Sequence, residues 1–278
     1  MDSYLSKRWS DCTWVAMDLE ATGAYPLNAE ICEIGAVKWK NGKIIDRYQT
    51  LIKPTHQMSD FIIAIHNITN EMVENAPPIG DKLHEFYKFI QGSVLTAHHA
   101  PFDLGFLAYD FEKQNIHIQS QPIVCTSLLS RALIQGSKNH KLQTLIEHLG
   151  LPQRNAHRAL DDAESCLELL LKCLENRSDL TIQDLLSIQK KPLNWDDFSI
   201  LDLRRNEHLS RLIDAIERGQ KVDLNYLGGS RPGESRVIKP IGLVRNPDGD
   251  YFVGYEDGQD RRKRYQLDRI ASVDFLDI

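Results

Sequence analysis

Residues 13 to 20, Thr-Trp-Val-Ala-Met-Asp-Leu-Glu, constrain this chain more than any other stretch. Apolar side chains run through it almost without a break, as in a buried strand. Strand side chains alternate between faces, so Asp18 and Glu20 point one way and Leu19 the other. Two carboxylates at the exposed end of a buried strand are costly unless a cation neutralises them. Thr22-Gly23 follow as a turn whose backbone can approach a ligand closely.

Residues 31–39 and 43–52 read as two further strands, joined by the hairpin signal Asn41-Gly42. Residues 69–90 have a helical pattern interrupted at Pro77-Pro78. A short apolar strand at 93–97 runs into His98-His99-Ala100-Pro101-Phe102-Asp103, where Pro101 suits the first turn of a helix. That places Asp103 in the first turn, with Phe106, Leu107 and Phe111 continuing the apolar face. Residues 122–126 form a possible fifth strand, and helices follow to about residue 176. The order β-β-β-α-β-α-β-α implies an α/β fold, a mixed sheet with flanking helices packed on it.

The last of these helices is preceded by His157-Arg158-Ala159-Leu160-Asp161-Asp162. From Ala159 to Leu174 apolar residues recur at helical spacing, and His157 falls in the loop before them, after the breaker run 152–155. At about 3.6 residues per turn, Asp161 shares a face with Ser165, Glu168 and Lys172, read as a solvent stripe. Asp162 shares its face with Cys166, Leu169 and Cys173, an inward stripe, and is the expected ligand. Taken alone, either aspartate is explained by the helix dipole; the upstream acids tip the reading towards a site.

Asp18, Glu20, Asp103 and Asp162 thus lie at strand ends or helix starts, accompanied by one loop histidine, His157. Phosphoryl hydrolysis by two metals about 3.5–4 Å apart needs such a set. A histidine suits the general base near neutral pH.

The stretches Val15-Ala16-Met17-Asp18-Leu19-Glu20-Ala21-Thr22-Gly23 and Ala97-His98-His99-Ala100-Pro101-Phe102-Asp103, followed by His157 and Asp162, resemble the three motifs of the DEDDh (DnaQ-like) 3′–5′ exonucleases. Ile65-His66-Asn67-Ile68-Thr69 is similar to that family's substrate-side motif. His99 stands where the family usually has Asn, and Asn67 where it usually has Gly. The resemblance covers roughly residues 10–176 and implies a ribonuclease-H-like fold. It implies removal of nucleoside monophosphates from a 3′ end, DNA favoured over RNA, with two Mg²⁺ or Mn²⁺ ions. By the same resemblance Asp18, Glu20 and Asp162 hold one metal, Asp18 shares the second, and Asp103 supports the site mostly through water. His157 is then the general base, and Leu19, Thr22 and His66 lie near the terminal nucleotide.

From 177 to 206 the pattern weakens into a connector with short helices, broken at Lys190-Lys191-Pro192 and Trp195-Asp196-Asp197. Residues 207–218 form an amphipathic helix with Leu209, Leu212, Ile213 and Ile216 inward and Gly219 as its stop. Short strands follow: 222–226, with Val222, Leu224 and Tyr226 on one face; 237–245; 250–256; and 264–275. About five short strands in roughly sixty residues suggest a small barrel. Pro240-Ile241-Gly242-Leu243-Val244, Tyr251-Phe252-Val253 and Arg264-Tyr265-Gln266-Leu267-Asp268-Arg269-Ile270 resemble a WYL domain, a small Sm/SH3-like barrel. The resemblance implies binding of nucleic acid or a regulatory ligand, with Arg236, Arg264 and Arg269 facing it. The expected division is a nuclease domain over 10–176, a connector over 177–206 and a WYL-like domain over 207–278.

Net charge is −6, which argues against a generally basic nucleic-acid coat. Residues 208–278 carry 12 Lys+Arg and 12 Asp+Glu, leaving 21 against 27 in the first 207. Arg261-Arg262-Lys263-Arg264 is the sharpest basic run, readable as a phosphate contact or as a solvated strand start. No apolar run approaches the roughly 18 residues of a membrane span. Residues 1–10 lack an apolar signal core, so export is not expected. Five cysteines without close pairs read as reduced core thiols of a cytoplasmic protein. The sequence therefore points to a 3′–5′ exonuclease acting on single-stranded or 3′-ended nucleic acid. The alternative is a non-catalytic regulatory protein that grips 3′ ends and senses a ligand.

Overall fold

A computed structural model describes residues 2–276. A short helix α1 (Asp2–Leu5) precedes β1 (Trp14–Ala21), β2 (Ile31–Lys40) and β3 (Lys43–Leu51). Then come α2 (Asp60–His66), α3 (Asn70–Val73), α4 (Ile79–Ile90), β4 (Val94–Ala97), α5 (Pro101–Lys113) and β5 (Ile123–Cys125). The first unit closes with α6 (Thr126–Leu133), α7 (Leu142–Leu149) and α8 (Ala159–Leu174), and α9 (Ile182–Ile188) follows. The C-terminal unit has α10 (Glu207–Arg218), β6 (Val222–Tyr226), β7 (Ser235–Val244), β8 (Tyr251–Glu256), β9 (Arg262–Gln266) and β10 (Ile270–Phe275).

The first sheet has the order β3-β2-β1-β4-β5. β1, β2 and β3 pair antiparallel, while β4 and β5 run parallel to β1, so the sheet is mixed and ribonuclease-H-like. The β2–β3 hairpin turns on Asn41 (φ 49°) and Gly42 (φ 82°), the left-handed pair that a two-residue hairpin needs. Alternation sorts β1 onto two cores. Val15, Met17 and Leu19 meet α4 and α5 through Leu83, Phe86, Leu104 and Phe106. Trp14 and Ala16 meet α8 through Leu167, Leu170 and Leu174. The next two residues on that second face are Asp18 and Glu20, so α8 lies over the carboxylate side of the strand.

The second sheet is antiparallel, with order β10-β6-β7-β8-β9. Its inward residues Val222, Leu224, Tyr226, Leu243 and Phe252 close over Leu212, Ile213 and Ile216 of α10. Gly219 ends α10 in the left-handed region, φ 65°. The two units are joined tightly. Leu193, Trp195 and Phe198 of the connector are buried in the first core, and Tyr109 of α5 packs against the second. A Cβ on Gly242 would stand 2.2 Å from Cγ of Tyr25, so the ring of Tyr25 rests on the backbone of β7.

The helical pattern over 69–90 is interrupted at Pro77-Pro78 as expected, giving α3 and α4, because neither proline can continue a helix between them. Three other details differ from the sequence reading. The segment 264–275 is two strands, broken by a 3-10 turn at Leu267–Arg269. α2 carries the apolar run 61–65 as a helix with Phe61 74% exposed, an element the periodicity did not announce. Ser165 is buried instead of lying on a solvent stripe; its hydroxyl donates to the Asp161 carbonyl at 2.8 Å, which satisfies it without water.

The Tyr25–Gly242 contact gives a test of the joint between units. Gly242→Ala forces the ring and strand apart, and overpacking of this kind costs about 1–3 kcal/mol. The melting temperature of the C-terminal unit should fall by about 2–10 °C in a thermal denaturation scan. An unchanged transition would contradict the contact.

Candidate active site

The site is built from the carboxylate end of β1, the strand opposite it and the start of α8. Asp18 faces Gly35 across the β1–β2 ladder, and Glu20 faces Glu33. Gly35 leaves room for α8: a Cβ there would stand 2.2 Å from C of Ala159 and N of Leu160. Glu33 is fully buried and anchors the helix start. It accepts from Arg158 Nη2 (2.8 Å) and Nε (3.2 Å), from the Ala159 N–H (3.0 Å) and from Gln49 Nε2 (2.8 Å). Burial works against its charge, but these hydrogen bonds outweigh it and hold the carboxyl below its ordinary range. The preceding loop is tied down by Arg154, which donates to Glu164 (3.0 Å) and Glu168 (2.9 Å).

This docking delivers His157 and Asp162 to β1. Possible metal-binding atoms of Glu20, His157 and Asp162 all lie within 4.8 Å of one another. The His157 N–H donates to Asp162 Oδ2 at 2.8 Å, and Gln143 Nε2 donates to Oδ1 at 3.2 Å. His157 is exposed and sits in the left-handed region (φ 62°), an uncommon conformation for a residue with a side chain. Asp161 lies outside the cluster and accepts from Asn155. Asp103, 2% exposed, accepts from the Leu19 N–H at 3.1 Å and so ties α5 to the middle of the Asp18–Glu20 pair.

Asp18, Glu20, Asp103 and Asp162 repel one another. Burial, then the charges of Asp103, Asp162 and Glu20, push Asp18 well above the carboxylate range. Glu20 rises to about 8 through burial and the charges of Asp162, Glu33 and Asp103. Burial raises Asp103 to about 8. Burial also raises Asp162, against the pull of the His157 N–H. Oxygen donors held together with their charge unneutralised fit a hard divalent cation such as Mg²⁺ or Mn²⁺.

The remaining expected residues are placed as follows. Leu19 is buried and Thr22 half-buried, with the Thr22 hydroxyl accepting from the Glu30 N–H at 2.9 Å. His66 is 1% exposed; its Nδ1 accepts from the Ile68 N–H at 3.0 Å and Nε2 faces Cys32 Sγ at 3.7 Å. His99 (φ 68°) and Asn67 (φ 57°) both occupy left-handed positions, which Asn and His tolerate better than most residues. Arg236 lies over the Tyr226 ring at 5.9 Å, and Arg269 packs beside Tyr226 across Gly228. Arg264 lies instead over Tyr251, at 4.9 Å. The basic run 261–264 divides on its strand: Lys263 pairs with Glu256 at 2.6 Å, while Arg262 and Arg264 point the other way. Sequence reasoning passed over Glu33, Arg158 and Gln143. A glutamate within the apolar strand 31–39 was the available signal, since a buried acid needs a cationic partner.

The chain matches the family model for exonucleases (RNase T) over residues 15–170 and that for the WYL domain over 207–275. It therefore belongs to the exonuclease family, in its DnaQ-like branch, with a WYL domain appended. It is 36% identical over 176 residues to the PolC-type DNA polymerase III of Oceanobacillus iheyensis, covering 63% of this chain and 12% of that protein. The chain thus spans about an eighth of the length of such relatives. It superposes on Exonuclease X in complex with 5′ overhanging duplex DNA at TM-score 0.50 and 28% identity, covering 63% of this chain and 99% of that one. The nuclease domain of 3′hExo, a DEDDh family member bound to rAMP, shares the fold at TM-score 0.53 and 19% identity, over 62% and 96% of the two chains.

The raised carboxyls fix a pH dependence. Between the ordinary carboxyl range and about pH 8 the unfolded chain has released protons that the folded cation-free site still holds. Cation-free protein should therefore lose stability as pH rises from about 5 to 8. Mg²⁺ should raise the melting temperature more at pH 8 than at pH 5.5. A Mg²⁺ shift that is the same at both values would contradict the cluster's electrostatics.

Proposed function

We propose that this chain is a 3′–5′ exonuclease that hydrolyses the terminal phosphodiester bond of single-stranded or 3′-ended nucleic acid, DNA in preference to RNA. The observation that carries the reading is the convergence of Asp18, Glu20, Asp103, Asp162 and His157 at one end of β1. The proposed division is a nuclease domain over 10–176, a connector over 177–206 and a WYL-like domain over 207–278.

Asp18, Glu20 and Asp162 are the residues that would hold divalent cations, two in number and Mg²⁺ or Mn²⁺ in kind, with Asp103 in support. When bound, such cations neutralise the phosphate, favour ionisation of the attacking water and stabilise the leaving oxygen. His157 acts as general base, accepting the water's proton on a ring nitrogen. Its exposure leaves the ring free to take and release that proton, while its backbone N–H holds Asp162 in place. Asp103, held by the Leu19 N–H, keeps the first turn of α5 beside the acids. Leu19, Thr22 and the loop braced by His66 form the side that receives the terminal nucleotide. At the WYL domain, Arg236, Arg264 and Arg269 are the proposed contacts for nucleic acid or a regulatory ligand. Five cysteines, all buried and none in a disulfide, support a cytoplasmic setting. Among the described residues no helix is long and apolar enough to cross a membrane.

The test uses 5′-labelled single-stranded DNA and RNA oligomers with Mg²⁺, resolved on a gel. A ladder shortening one nucleotide at a time, abolished by excess chelator, is the expected result. Immediate release of the labelled 5′ nucleotide, or full activity in chelator, would overturn the reading. Asp162→Asn should abolish cleavage while Asp161→Asn is nearly silent. His157→Ala should reduce turnover about 10²–10⁴-fold with little effect on binding; near-normal turnover would remove it from the mechanism.

A further inference from the structure

Two hollows open where the nuclease sheet meets the C-terminal sheet, and both are bordered by His99, Pro101 and Asn246. Sharing those residues, they make one trough whose lining includes Phe102, the residue before Asp103. The first hollow, about 260 Å³, has aromatic walls: Tyr25, Phe102 and Phe106 from one unit and Tyr251 from the other. Phe102 and Phe106 meet as a tilted pair with ring centroids 5.0 Å apart, and the Arg264 guanidinium covers the Tyr251 ring. The second, about 450 Å³, is lined by Arg131, Lys190 and Lys191.

Two of the cations along the trough are already paired, Arg245 with Asp250 and Lys191 with Asp248. Arg131, Lys190 and Arg264 form no ion pair among the described residues, yet each faces the trough. Unneutralised cations interleaved with aromatic rings are how proteins grip unpaired nucleotides, with rings stacking bases and cations following the backbone. A hollow of this size is just below the roughly 300 Å³ of small-ligand pockets, enough for a base and part of its sugar.

We propose that this trough seats the substrate strand 5′ of the cut, with one unpaired base stacked in the aromatic hollow against Tyr251, Tyr25 and Phe102. Arg264 holds that nucleotide's phosphate, and Arg131 and Lys190 hold the next ones. The seat rests on the exonuclease reading for its substrate. It makes the WYL domain half of the binding surface: the domain supplies Tyr251 and Arg264, and the strand cannot be gripped there by the nuclease unit alone. α5 carries both functions, turning Asp103 to the acids and Phe102 and Phe106 to the trough.

The experiment uses the full chain and single-stranded DNA oligomers carrying 5-iodouracil at successive positions from the 3′ end, photo-crosslinked in chelator and mapped by mass spectrometry. Crosslinks should fall on Tyr251, Tyr25 or Phe102 from one fixed position, whatever the oligomer length. In parallel, the ratio of kcat/KM for an octamer to that for a dinucleotide is measured for wild type, Tyr251→Leu and Arg264→Gln. The variants should lower that ratio about 5- to 100-fold, and Arg264→Gln should flatten the log–log salt dependence of binding by about 0.7. Crosslinks at the fixed position without any cleavage would keep the seat and sink the exonuclease reading. Cleavage with crosslinks elsewhere and an unchanged ratio would overturn the seat alone.

Discussion

The buried carboxylate of Glu33 is the interaction on which the rest of the site depends. It sits on the strand opposite Glu20, and its two oxygens take the Arg158 guanidinium, the first N–H of α8 and the Gln49 amide. A buried ion pair adds little net stability, but losing one partner costs about 3–5 kcal/mol, because a charge is left stranded. Its role here is positional. With Gly35 clearing the way, it fixes the helix start against β2 and so sets where His157 and Asp162 meet the end of β1.

The acids so assembled work against the fold that holds them. Burial pushes Asp103 to about 8, and burial together with neighbouring carboxylates pushes Glu20 to about 8. His157 is held in the left-handed region, uncommon for a residue with a side chain, where its N–H reaches Asp162 Oδ2. Both are costs of the kind that concentrate at functional sites, where surrounding structure over-determines an unfavourable arrangement. The surroundings are here a fully packed sheet, with Trp14 and Ala16 on one side and Val15 and Met17 on the other all at 0% exposure.

Much of this was legible in the sequence, for physical reasons. The alternation that put Asp18 and Glu20 on one face is local geometry, and so is the helical phase that turned Asp162 inward. The hairpin at Asn41-Gly42 and the Gly219 stop follow from backbone chirality. What was not legible depends on partners far apart in the chain. Glu33 and Arg158 are 125 residues apart, and nothing near either announces the other. The two departures from the family's motifs became intelligible only through φ: Asn67 and His99 replace residues at left-handed positions with others that tolerate them. The basic run 261–264 was readable as a phosphate contact or as a solvated strand start, and its contiguity could not divide it, since a strand sends its neighbours to opposite faces.

The same helix, α5, links the acids to the C-terminal unit through Tyr109, whose hydroxyl donates to Glu217 at 3.0 Å. One helix thus carries Asp103 to the acids and touches the C-terminal unit, beside a helix start that Glu33 positions. The most direct test is a Mn²⁺ titration of wild type and Glu33→Gln by calorimetry, with melting curves recorded for both. If Glu33 positions the acids, Mn²⁺ should bind the wild type and bind Glu33→Gln at least about tenfold more weakly while the core still melts cooperatively. Equal Mn²⁺ affinity in the two proteins, or no Mn²⁺ bound by the wild type, would contradict the account.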